Sequence, residues 1–128
     1  MTSAREIGSP LTAHELALLR RVCAGRWPGA DAARAQLVHA RWGGKDHEGD
    51  ACFLIEVAAD TDLPRIPSHD GGPVATLGVA DGDEALGMLE LWVEDGRLRS
   101  LDYSTFGDTA PGALPAVHLV DGSDPAAT

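Results

Sequence analysis

At 128 residues and 44% apolar content, the chain is long enough to bury a core of its own and too apolar to be disordered throughout. A net charge of −10 opposes nucleic-acid phosphates, and two cysteines exclude a disulfide framework. No run approaches the roughly 20 apolar residues of a membrane span, and MTSAREIGSPL has no apolar signal segment, so the expectation is a soluble cytoplasmic protein.

Residues 1–10 end in Gly8-Ser9-Pro10 and read as a flexible lead-in to a single domain over 11–120. LTAHELALLRRVCAG then carries the clearest local signal. Thr12 and Glu15 have capping-box spacing, with Leu11 and Leu16 placed as a hydrophobic staple. Leu16, Leu18, Leu19, Val22 and Cys23 share one helical arc, and Gly25 supplies a stop, which predicts a helix over 13–24. After the connector Arg26-Trp27-Pro28-Gly29, a second helix is expected over 30–40. Its face is built of small residues, Ala30, Ala33, Leu37 and Ala40, suited to close packing on a sheet.

WGGKDHEGDAC reads as a loop before the first strand, ACFLIEVA at 51–58, where Phe53, Ile55 and Val57 alternate with Cys52, Leu54 and Glu56. Residues 60–73 read as a long Pro/Gly loop and 74–80 as a second strand. GMLELWVEDGRLRSLDY is a hairpin about Asp95-Gly96. A two-residue turn would pair Leu89 with Asp102 and Trp92 with Arg99. A three-residue turn with a bulge at Gly96 would pair Leu89 with Leu101 and Trp92 with Leu98. The second matches apolar to apolar and is the expected register. Beyond it the chain is expected as an extended tail anchored by Val117 to Val120, frayed over 121–128. The fold class that follows is α+β, with two N-terminal helices on one face of a three- to four-stranded antiparallel sheet.

These motifs resemble a group of small actinobacterial proteins. The residues that carry the likeness are Leu16 to Leu19, Trp27-Pro28-Gly29-Ala30, Ala33-Arg34-Ala35-Gln36-Leu37 and Val93 to Asp102. It covers about 90 residues of caps, turns and core positions. The resemblance implies the same fold class and brings no established activity. It also implies that Cys52 alone corresponds to a Cys/Gly-rich run in the group.

Charge divides along the chain. Residues 1–45 hold seven basic and three acidic residues, a balance of +4; residues 46–128 hold three basic and seventeen acidic, a balance of −14. Arg20, Arg21 and Arg26, with Arg34 and Arg41 nearby, form either a patch for an acidic partner or an ordinary solvated helix face. Glu90, Trp92 and Glu94 alternate on one face of the hairpin, with Asp102 able to join them, and a tryptophan among carboxylates is a protein-binding composition. The competing reading makes Trp92 part of a second small core.

Asp46, His47, Glu48 and Asp50 are metal-ligand types packed into one loop, and His39 or His69 would have to complete a site. The run has neither EF-hand nor His-Glu-x-x-His spacing. Ser68-His69-Asp70 spells a triad, but consecutive side chains cannot relay from nucleophile to base, so it reads as a turn. Cys23 reads as a core residue. Cys52 follows a run of carboxylates that oppose thiolate formation. The preferred expectation is a non-enzymatic, immunity- or inhibitor-like interaction module without cofactor, binding a basic protein through Glu90, Trp92, Glu94 and Asp102. The alternative is a metal-binding protein or small metal-dependent enzyme centred on residues 46–50.

Overall fold

The computed structural model describes residues 5–45, 52–58, 62–67, 72–106 and 113–120. They form α1 (Ala13–Cys23), α2 (Ala30–Leu37), β1 (Arg41–Lys45), β2 (Phe53–Glu56), β3 (Ala75–Asp81), β4 (Glu84–Glu94), β5 (Arg97–Thr105) and a 3₁₀ turn at Val117–Leu119. The strands make one antiparallel sheet in the order β1-β2-β5-β4-β3. With the helices packed on one face, the fold is α+β. No helix among the described residues is long and apolar enough to cross a membrane.

Helix α1 starts as its local sequence requires. Thr12 Oγ1 accepts from the Glu15 N–H at 3.0 Å, and the Glu15 carboxylate accepts from the Thr12 N–H at 2.9 Å. Leu18, Leu19, Val22 and Cys23 are buried on its inner arc. The Trp27 indole then folds back, donating to the Val22 carbonyl at 3.0 Å. Helix α2 is shorter than the expected 30–40. Its last turn tightens to i→i−3 bonds, from the His39 N–H to Gln36 O (2.9 Å) and from the Ala40 N–H to Leu37 O (3.2 Å), which releases the chain into β1.

The sheet has five strands where three or four were expected. The addition is β1, whose sequence RWGGK has one large apolar residue and two glycines and therefore no alternation to read. It forms because β2 offers an edge: Trp42 pairs with Ile55 and Gly44 with Leu54, and Gly43 is the extra residue of a bulge. On its other side, the Gly8 N–H donates to Trp42 O at 2.8 Å and the Trp42 N–H to Ser9 O at 2.9 Å. The segment expected as a flexible lead-in thus carries main-chain bonds to β1. Arg5 in that segment grips Glu15 with two bonds of 2.7 and 2.8 Å and stacks 4.5 Å from the Trp42 ring centroid.

The β4–β5 hairpin corrects the expected register. Asp95 (φ 53°) and Gly96 (φ 77°) form a two-residue I′-type turn between Glu94 and Arg97. Val93 faces Leu98, and then the register shifts: Trp92 faces Ser100, Leu91 faces Leu101 and Leu89 faces Tyr103. The extra residue is Arg99, placed after the turn instead of within it. A straight two-residue register would have set Leu89 against Asp102. The bulge restores apolar pairing while keeping the turn whose twist suits the strands.

Leu77, Val79, Leu89, Leu91, Leu101, Phe53 and Ile55 project from the sheet into one buried cluster with Leu18, Leu19, Val22, Ala33 and Leu37 of the helices. The tail lies over this assembly at 113–120. His14 Nε2 contacts Pro115 O at 2.7 Å, Arg21 donates to Val120 O at 3.2 Å, and Val120 makes an isolated bridge to Val79 on the β3 edge.

Candidate functional site

The helices cover the face bearing Leu89 and Leu91, so alternation along β4 turns Glu90, Trp92 and Glu94 to the opposite, outer face. Register assembles that face in rows. One row runs Leu54 on β2, Ser100 on β5, Trp92 on β4. The next runs Asp102 on β5, Glu90 on β4, Thr76 on β3. Glu90 and Asp102 therefore stand directly opposite one another, one position from the indole.

The four predicted residues do not share one environment. Glu90, Trp92 and Asp102 are half-buried, whereas Glu94 is exposed at the hairpin end and pairs with the bulged Arg99 at 3.2 Å. The Trp92 indole N–H is shielded from solvent and meets no acceptor among the described residues. Ser100 is buried although it lies on the outer face, as its row position between Leu54 and Trp92 explains. Trp92 is thus neither fully open nor part of a closed second core.

Of the metal-type candidates, Asp46, His47, Glu48, Asp50 and His69 lie outside the described residues, as does the Ser68 to Asp70 run. His39 is exposed just past α2. Among the described residues no group of three His, Cys, Asp or Glu is placed to hold a metal ion. Both cysteines are buried thiols. Burial pushes the Cys23 thiol up to about 12, against a smaller opposing influence from Arg34, so it stays protonated at neutral pH. Cys52 Sγ accepts from the Tyr103 N–H at 3.3 Å, serving the start of β2 as an irregular sheet contact.

Two features escape a reading by periodicity. Gln36 is buried within the small-residue face of α2, and its amide joins three elements: Nε2 donates to Pro64 O and Gly96 O at 2.8 Å each, and Oε1 accepts from the Leu98 N–H at 3.0 Å. A glutamine among alanines is the only sequence trace of that role. The second is a groove between α1, the end of α2 and the start of β1, lined by residues from all three elements. Tertiary packing creates it, and no contiguous motif marks it.

The chain matches no protein-family model, no curated protein and no solved structure.

Proposed function

We propose that this protein is a non-enzymatic interaction module, immunity- or inhibitor-like in kind, whose outer sheet face docks a basic protein. The observation that carries the reading is the cross-strand placement of Glu90 against Asp102 beside Trp92. A lysine or arginine docked on this row would meet two neighbouring carboxylates with an indole alongside, a set suited to a cationic side chain. Trp92 supplies the aromatic element of a hot spot, and a small reorientation on docking would give its shielded N–H an acceptor. The surrounding segment, residues 46–128, carries −14 and would steer a cationic partner toward the face.

The test pairs a defined probe with a search for the natural partner. A 12-residue arginine-rich peptide, titrated at low salt, should perturb Trp92 fluorescence and bind saturably, with affinity falling as salt rises. Glu90→Lys should abolish that binding. Capture from native lysate should retain a basic protein in stoichiometric amount, and the same substitution should release it. Binding of the peptide unchanged by Glu90→Lys, or no stoichiometric basic partner at low or moderate salt, would refute the reading.

A further inference from the structure

The groove beside the helices is lined by apolar and basic side chains. Its volume is about 860 Å³. Leu11, Leu16, Leu37 and Val38 give it an apolar wall, and Val38 is 81% exposed at its mouth. Its charged side chains are Arg20, Arg34 and Arg41, with His39 beside them. No carboxylate among the described residues lines it, in a chain that has twenty. Arg34 is committed locally, paired with Asp31 and donating to the carbonyls of Cys23 and Gly25. Arg20 and Arg41 are exposed and make no ion pair among the described residues.

We propose that this groove binds a small amphiphilic carboxylate, its apolar chain against Leu11, Leu16 and Leu37 and its carboxylate held by Arg20 and Arg41. Charge complementarity selects an anion, and the guanidinium fork matches a carboxylate in shape as well as sign. The apolar wall selects a hydrocarbon portion. Size selects a small molecule: the volume lies in the range of small-ligand sites, about 300–1,000 Å³. This site is separate from the outer sheet face and stands or falls without it.

The experiment uses the full chain and decanoate as the probe, with acetate and decyltrimethylammonium as controls for head group and chain. Decanoate is expected to bind saturably at one site and to raise the thermal midpoint, while neither control does. Arg20→Ala and Arg41→Ala are expected to weaken decanoate about tenfold each, as loss of a charge-assisted hydrogen bond does. Val38→Glu, which sets a carboxylate at the mouth, is expected to abolish binding. All three positions are exposed or at the rim, and unchanged circular dichroism verifies that each variant folds. The proposal is overturned if decanoate does not saturate, if decyltrimethylammonium binds equally well, or if all three variants leave affinity unchanged. It is also overturned if an acidic amphipathic peptide binds here and decanoate does not, or if sedimentation shows a dimer that Arg41→Ala dissociates.

Discussion

Gln36 is 1% exposed, and each hydrogen bond of its side chain reaches the main chain of another segment. Replacing it by leucine keeps the volume but strips the Leu98 N–H of its acceptor and Pro64 O of its donor. Gly96 O is protected, since the Ile66 N–H also donates to it at 2.9 Å. Gln36→Leu should therefore cost about 2–4 kcal/mol, read as a lower urea midpoint at unchanged slope. Gln36→Glu should cost more, because it presses a carboxylate against two carbonyl oxygens. Glu15 gives a residue-scale pH effect. Burial alone would raise its pKa, but the Arg5 and Thr12 hydrogen bonds and the Arg5 charge outweigh burial and lower it from 4.5. A depressed carboxylate contributes stability that is present above its unfolded pKa and is lost as pH falls through the folded value. Acid titration of unfolding free energy should show that loss beginning near pH 4.5 and continuing below it. Glu15→Gln should flatten the acid limb; an unchanged limb would show that the Arg5 pairing does not shift the equilibrium.

At the scale of elements, the close approach of β4 and β5 is set at Gly87. A Cβ there would lie 2.1 Å from Ser104 O and 3.0 Å from Tyr103 Cε1, and the first of these is backbone that cannot swing aside. Gly87→Ala should cost about 2–4 kcal/mol and lower the thermal midpoint by about 10 °C or more. Gly78→Ala is the control. Its Cβ meets nothing within 4 Å, so it should be neutral or stabilise by about 0.5 kcal/mol. The contrast also separates what the sequence makes legible from what it does not. Helix α1 is readable because its cap, staple and apolar arc are local and mutually consistent. The inner and outer faces of β4 are readable because alternation survives wherever the backbone does. Strand β1 is unreadable, since RWGGK becomes a strand only when β2 and residues 8–9 supply partners on its two sides. The hairpin register fails for a related reason. Turn chemistry and apolar pairing each suggest a register, and the chain satisfies both by moving the bulge to Arg99. The outer-face residues follow from periodicity, whereas Gln36 and the groove arise from contacts between elements and leave no periodic trace.

Over the whole molecule, the basic N-terminal part supplies the helices and the acidic remainder supplies most of the sheet. A net charge of −10 on 128 residues repels itself in the folded state, and screening relieves that repulsion. Raising ionic strength from about 0.02 M to about 0.3 M shortens the screening length severalfold and should raise the thermal midpoint by about 2–5 °C. The Arg5–Glu15 pair works against this rise, but it is partly buried and loses less to salt than exposed charges gain. Glu90 links this global effect to the proposed docking face. Removing one charge of the Glu90/Asp102 row by Glu90→Gln should stabilise the free protein by a few tenths to about 1 kcal/mol. The same change should weaken the arginine-rich peptide, because the cation then meets a smaller charge. Stability and binding would move in opposite directions with salt and with this one substitution, as expected where repulsion is stored at a recognition surface. Thermal melts and peptide titrations on the two proteins at both salt concentrations measure all four effects. If Glu90→Gln leaves the melting temperature unchanged or lowers it, the row costs the fold nothing. Stored repulsion would then play no part in docking, and the peptide titration alone would decide the proposal.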